Sequence, residues 1–386
     1  MDIIICGQIL SGRIEVLESY LKERTNYLAV FGYPGANSPD FGRCTIYKRN
    51  RLFRKSRMLF NRLKIGAIWH IQPLIFVGYI MGIFSSLYSA LRLGKKVHIF
   101  VGVGSFATFV GIILKKIGLV QFLIFYSIDY FSPSVRTITA GALRPIDRHC
   151  AISSDIVWSI SPRILEARYL YSKLPPENYT HIIVPVGFDS RLLNRTPLDG
   201  FERWTLAFVG TSGPFHGLKL LVEAMPLILK RFPEVKVKLF GPGPWDDIKK
   251  LVTELHLQDS FIFMGFIHSE DKLFESISRC AAGIALYTDT QDNPAIYADP
   301  GKPKLYAFCG LPNIITKTPQ VAYEIDKKGA GIAIDYNIES LVSALIKLLE
   351  DEKKLKKYRL NAIHFAESYT SERIFTGAFQ KTLNIP

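Results

Sequence analysis

The chain has 386 residues, 48% of them hydrophobic, which suits two ordinary domains with substantial cores. Its five cysteines (Cys6, Cys44, Cys150, Cys280 and Cys309) form no C-x-x-C pair, which excludes a disulfide framework or a zinc ribbon and fits a reducing compartment. The net charge of +14 is concentrated: from Phe41 to Ile128 there is no Asp or Glu, against fourteen Arg and Lys.

The opening MDIIICG is too short and too soon polar for a signal peptide and reads as a strand, Asp2–Cys6. A helix over Arg13–Arg24 and a strand over Tyr27–Phe31 follow, then a Pro/Gly-rich loop, Tyr33–Asn50. From Arg43 to Lys64 bases interleave with Tyr47, Leu52, Phe53, Met58, Leu59, Phe60 and Leu63. That mixture suits a segment lying on an anionic membrane surface. A nucleic-acid surface or an ordinary solvated segment are the alternatives. Ile65–Leu91 carries no formal charge and is long enough to span a bilayer. A crossing there would split one sheet across the membrane, so a buried or interfacial helix is expected.

Next come a strand at Lys96–Val101, a helix at Phe106–Lys116 opened by Gly102, Gly104 and Ser105, and a strand at Gln121–Tyr126 ending near Asp129. A helix over Ile138–Asp147, a strand over Asp155–Ile160, a Ser161-capped helix over Pro162–Tyr171 and a strand over His181–Val184 complete the first half. Pro185–Asp189 is a turn and Ser190–Phe201 a linker. Leu206–Val209 then reads as a buried strand, Leu218–Leu229 as an amphipathic helix ended by Pro233, and Val235–Phe240 as a second strand. Gly210, Gly213 and Gly217 punctuate the intervening turn, and Gly241 and Gly243 follow the second strand. A glycine-rich turn feeding a helix presents unpaired N–H groups to one spot, which suits a phosphate. Further strands at Ser260–Met264, Ala282–Leu286 and Asn313–Thr316 alternate with helices at Ile248–His256, His268–Cys280 and Pro303–Cys309. A loop, Tyr287–Lys302, precedes the last of these, and three helices close the chain at Ile338–Leu349, Glu352–Ser368 and Glu372–Leu383. The alternation on both sides of the linker gives two α/β domains with parallel sheets.

In order, the pieces FVGTSGPFHGLKLLVEA, KLFGPG, FMGFI, CAAGIALY and KLYAFCGLPNIIT, preceded by PVGFD, resemble the nucleotide-sugar domain of the GT-B glycosyltransferases, group 1 or family 4. The likeness covers Ile182–Leu383 well and the first half in outline. It implies two Rossmann-like domains facing across a cleft: an acceptor domain over 1–190, with the basic membrane-facing segment at about 41–96, and a nucleotide-sugar domain over 191–370. The last helix, 371–386, would cross back to the first domain. It also implies transfer of a sugar from a nucleoside-diphosphate sugar, with no metal and no cofactor beyond the donor substrate.

Carried over residue by residue, the donor site would comprise Gly210, Thr211, Ser212, His216, Gly217, Gly241 and Gly243. Gly265, Phe266 and Ile267 would meet the base, and Asp299 the ribose or sugar hydroxyls. The places where the family shows Arg and Lys on the diphosphate loop fall on Thr211 or Ser212 and His216, and its two glutamates fall on Tyr297 and Leu305. A subgroup with D-P-x-K matches Asp299-Pro300-Gly301-Lys302, making Lys302 the cation that offsets the leaving diphosphate. Asp129, ending a strand in YSIDYFS, is the candidate base for the acceptor hydroxyl, with Gly7, Gly104 and Ser105 beside it. Retention of configuration is the family's usual outcome. The expectation is a glycosyltransferase on the inner face of a membrane, acting on a lipid-linked or membrane-borne acceptor in surface polysaccharide or glycolipid synthesis, with no nucleic-acid partner. A catalytically inactive homologue serving as partner or sugar-binding subunit, and a nucleotide-sugar epimerase, stand as alternatives.

Overall fold

A computed structural model describes residues 1–8, 13–33, 42–59, 72–133, 138–192 and 195–384. The chain divides into two compact units, Met1–Gly187 with Ser371–Pro386, and Phe188–Thr370. Arg62, Lys64 and the start of the uncharged run lie outside the described residues.

In the first unit, β1 (Asp2–Gln8), α1 (Arg13–Lys22) and β2 (Tyr27–Tyr33) are followed by β3 (Arg43–Lys48), β4 (Arg51–Arg57) and α2 (Gln72–Leu93). Then come β5 (Val97–Val103), α3 (Ser105–Lys116), β6 (Val120–Ser127), α4 (Ile138–Ser153), β7 (Ile156–Ser159), α5 (Pro162–Ser172) and β8 (His181–Ile183). The sheet runs β4-β3-β2-β1-β5-β6-β7-β8. Its central pairings are parallel, and its strands are long apolar runs because helices cover both faces.

One edge departs from the sequence reading. Where the sequence predicts a loop over Tyr33–Asn50, β3 and β4 form an antiparallel hairpin added to β2. Cys44 and Ile46 alternate inward on β3, while every residue of β4 except the half-buried Ser56 is exposed. The two-residue turn, Arg49-Asn50, has positive φ at both positions, 46° and 64°, as this hand of hairpin needs. Arg51, Arg54, Lys55 and Arg57 on an outermost strand also blunt edge-to-edge pairing. Among the described residues no helix is long and apolar enough to cross a membrane.

The second unit comprises β9 (Glu202–Val209), α6 (Leu218–Arg231), β10 (Lys236–Phe240), α7 (Asp246–Glu254), β11 (Phe261–Gly265), α8 (Glu270–Ser278) and β12 (Cys280–Ala285). These lead to α9 (Gly301–Phe308), β13 (Asn313–Thr316), α10 (Val321–Lys327), β14 (Gly331–Ile334), α11 (Ile338–Leu349) and α12 (Glu352–Glu367). The six strands are all parallel, in the order β11-β10-β9-β12-β13-β14. Leu206, Phe208, Leu221, Met225, Val237 and Leu239 fill the core beneath α6. The elements α10 and β14 have no counterpart in the sequence reading, being seven and four residues long. Arg359, fully buried on α12, ties that helix to β12 and to the end of α8 by donating to the carbonyls of Cys280, Ala281 and Ser278.

The final helix, α13 (Ser371–Leu383), belongs to the first unit. Trp158 Nε1 on β7 donates to Thr382 Oγ1 at 2.9 Å, and the Trp158 ring meets Phe379 edge-on at 4.9 Å. Tyr20 on α1 packs against Phe375 and Phe379 from the other side.

Candidate functional site

In an open parallel α/β sheet, ligands lie beyond the carboxyl ends of the strands. Three glycines mark that edge in the second unit. Gly210 follows β9, Gly241 follows β10 and Gly265 ends β11, and they continue the ladder: Gly210 N donates to Phe240 O at 2.8 Å and Gly241 N to Gly265 O at 2.9 Å. Gly210 and Gly241 have φ of 142° and 149°. A Cβ on Gly241 would lie 1.8 Å from the Gly210 carbonyl oxygen, so only glycine lets these backbones pass. Gly217, at φ 60°, precedes α6, and a Cβ there would meet Leu286 at 2.5 Å. The edge is thus built from backbone with side chains removed.

One cation is brought to it. Lys302 stands in the first turn of α9, not in the preceding loop, because Pro300 ends the extended segment and α9 starts at Gly301. Its half-buried side chain carries Nζ to 3.0 Å from His216 Nδ1, and a Cβ on Gly210 would be 3.3 Å from that nitrogen. The rings of Phe208 and Tyr287 flank the amine at 5.0 and 5.2 Å. Burial without an ionised partner pushes the Lys302 amine down to about 7. Burial, then the neighbouring Lys302, lowers His216 to about 4. His216 is therefore neutral near pH 7. With Nδ1 accepting from the amine, the imidazole proton sits on Nε2 and is available to an anion.

The helix that presents Lys302 is locked at several points. Tyr306 OH accepts from Val209 N at 2.8 Å and donates to Ile284 O at 3.1 Å, pinning α9 to β9 and β12. Asn313 Nδ2 donates to Pro303 O at 3.0 Å. Asp299 is buried and ion-paired with Lys304, whose ammonium also sits over the Tyr369 ring. The Asp299 carboxylate is thus engaged within the protein at the start of α9. Sequence reasoning missed Tyr306, Tyr287, Phe208 and Lys304, since large apolar or paired side chains in a strand-helix pattern read as core.

The remaining residues surround this centre. Ser212 Oγ donates to Pro244 O, which fixes the turn after β9 against the cis Gly243–Pro244 peptide. Thr211 is half-buried in the same turn. Gly265 has open space where a Cβ would be, Phe266 is exposed, and Ile267 is half-buried. At the two glutamate positions stand Tyr297, half-buried, and Leu305, buried.

The first unit has a comparable edge. Gly104, at φ 87°, opens α3 and donates from its N to Tyr126 O; a Cβ there would meet nothing within 4 Å. Gly7 lies in register with Val103 on β5 and Gly32 on β2. Beside them a small cavity of about 60 Å³ is lined by Tyr79, Gly104, Ser105, Asp129, Arg144 and Asp147. Burial and then the charge of Asp129 raise the Tyr79 phenol to about 12. The Asp129 segment is held by a group the sequence reading did not single out. Arg168, fully buried, grips Asp147 with two bonds of 2.7 and 2.9 Å and donates to Ser127 and Ser159 at the ends of β6 and β7.

Residues 203–351 match the family of Glycosyl transferases group 1. Over 179 residues the chain is 24% identical to a poly(glycerol-phosphate) alpha-glucosyltransferase of Bacillus subtilis, 44% of this chain being covered. The matched segment spans only about a quarter of that relative, 24% of its length. A sucrose-phosphate synthase structure from Thermosynechococcus elongatus superposes with TM-score 0.75 at 15% identity, covering 99% of both chains. Anabaena HepE, in complex with UDP and glucose, superposes with TM-score 0.71 at 16% identity over the full length of both. These likenesses establish the GT-B fold.

Proposed function

We propose, from a second unit that belongs to the group 1 glycosyltransferases within a chain of GT-B fold, that this protein transfers a sugar from a nucleoside-diphosphate donor. The observation that carries the reading is Lys302: an amine whose burial no neighbouring carboxylate offsets, brought to an edge built from three glycines. A diphosphate supplies the missing counter-charge. Lys302 and the His216 Nε2–H then offset the charge that develops as nucleoside diphosphate leaves the anomeric carbon. Asp129 of the first unit accepts the proton of the acceptor hydroxyl. UDP-glucose is the first donor to test, because HepE is seen with UDP and glucose and the Bacillus relative is a glucosyltransferase.

The acceptor in this reading is membrane-borne, a surface polymer or its lipid-linked precursor, and the protein works as a peripheral membrane protein on the inner face. Two things support that: the Bacillus relative's poly(glycerol-phosphate) acceptor, and the cationic β3–β4 hairpin with no acid in its own strands. The test is ligand-induced thermal shift with a panel of nucleoside diphosphates and nucleotide sugars, followed by turnover with membrane fractions. Lys302→Ala should abolish the shift. Asp129→Asn should keep the shift and lose turnover. Leu305 and Tyr297 at the glutamate positions favour a second reading, a sugar-binding homologue without turnover, and an active wild type sensitive to Asp129→Asn rules that out.

A further inference from the structure

Helix α2 presents large apolar side chains outward as well as toward the core. Its inward side buries the small residues Gly78, Gly82, Ser85, Ser86 and Ala90, with Tyr79, Ile83, Leu87 and Leu93 packed half-buried against the core beside them; Ser86 Oγ accepts from Cys6 Sγ on β1, and Ser85 Oγ donates to Leu59 O. Its outward face is large and apolar. Val77, Ile80, Phe84, Tyr88 and Leu91 recur at spacings of three and four and are 48, 38, 61, 46 and 53% exposed. A continuous apolar stripe of this kind is not left in water without a partner.

The charge around the stripe says what covers it. Arg92 lies over the Tyr88 ring, and Lys95 and Lys96 follow at the end of the helix. Leu59, 39% exposed, links the stripe to the β4 strand, whose outward residues include Leu52 and Phe53 at 59 and 60% exposure between Arg51 and Arg54. Lys48 sits over the Phe53 ring at 3.5 Å. Helix α2 and both hairpin strands contain no acid. A second copy docked stripe to stripe would set two cationic hairpins near one another, whereas an anionic lipid surface satisfies apolar and cationic groups together.

We infer that α2 is an in-plane membrane anchor: its outward stripe inserts among the acyl chains of an anionic leaflet while Arg92, Lys95, Lys96 and the β3–β4 hairpin engage lipid headgroups. The inference rests on the membrane-borne acceptor proposed above and adds the element that enters the bilayer. It also gives the attachment two components, one that salt screens and one that it does not.

The test uses the full chain and vesicles of phosphatidylcholine with or without phosphatidylglycerol. With Phe84→Trp as reporter, the indole emission should shift to the blue on anionic vesicles and be quenched by lipids brominated along their acyl chains. The double variant Phe84→Ser/Leu91→Ser should bind vesicles at least tenfold more weakly while keeping the nucleoside-diphosphate thermal shift of the second unit. Arg51→Glu/Arg54→Glu should lose vesicle binding mainly at low salt. Vesicle binding without acyl-chain quenching would leave the membrane reading standing and overturn the anchor. No vesicle binding with an intact nucleotide shift would overturn both membrane statements but not the sugar-donor site. A stripe variant that turns a dimer into a monomer without changing vesicle binding would assign the stripe to self-association and overturn the anchor.

Discussion

Affinity for a nucleoside diphosphate should fall steeply as pH rises from about 7 to about 9, through one amine. Lys302 is lowered by burial to about 7, so above that pH it is increasingly neutral. The diphosphate binds the charged form, and each pH unit above the free value then costs a factor of ten, about 1.4 kcal/mol. Over two units the dissociation constant should rise by about a hundredfold, ~2.7 kcal/mol, until the amine's value in the complex is reached. His216, lowered to about 4, stays neutral throughout and adds no slope. Tyr287 and Tyr306, the other ionisable groups around the amine, are both raised by burial and stay protonated, and Asp299 is already paired with Lys304. Calorimetric titration of UDP in buffers of different ionisation enthalpy measures both quantities, and proton uptake should approach one per ligand near pH 8. Lys302→Arg carries a permanent charge, so its affinity should be flat across the same range. A slope that survives in Lys302→Arg, or a flat wild type, would refute the assignment.

Three further outcomes follow from the same geometry. Because the folded protein holds Lys302 less protonated than the unfolded chain does, stability without ligand should rise with pH between about 7 and 10.5, and Lys302→Met should stabilise the apo protein at neutral pH by at most about 4 kcal/mol; a lower melting temperature for that variant sinks the idea. Asp299→Ala removes the carboxylate ion-paired with the buried Lys304 ammonium and should cost about 3–5 kcal/mol, most of it restored in Asp299→Ala/Lys304→Met; loss of donor affinity with unchanged melting would instead make Asp299 a ligand contact. Gly241→Ala should destabilise the second unit by more than about 3 kcal/mol, since its Cβ meets backbone, whereas Gly265→Ala, with open space and only an unfavourable φ, should cost about 1 kcal/mol in denaturant titration.

How far these features were legible in the sequence depends on what each residue's neighbours are. The β9–α6–β10 unit reads directly, because β9 ends in a buried apolar run, β10 keeps Val237, Leu239 and Phe240 buried, and α6 keeps a clear 3.6-residue period. The β3–β4 hairpin did not, since an edge strand of RLFRKSR buries nothing that would mark it and its turn lacks the Asn-Gly signal. The glycines of the site could be found because a positive φ leaves few alternatives to glycine. The partnership of Lys302 with His216, eighty-six positions away, could not, because only the fold brings the two together. Nor could the pairing of Asp299 with Lys304: five residues apart, they meet because α9 begins between them.

Because α13 completes the first unit, the second unit is an insertion. The chain leaves the first sheet after Gly187 and comes back to it at Ser371, and within the insert Phe188 N donates to Tyr369 O at 2.9 Å, so its two ends are clasped. A ribosome therefore delivers the whole of the second unit before the first unit receives α13. Until Phe375, Phe379 and Thr382 arrive, Tyr20 and Trp158 lack their covering. Nascent chains must hold that open flank through the whole synthesis of the insert, which makes the flank the place where a chaperone would be needed, and a premature stop after Thr370 would damage the domain made first.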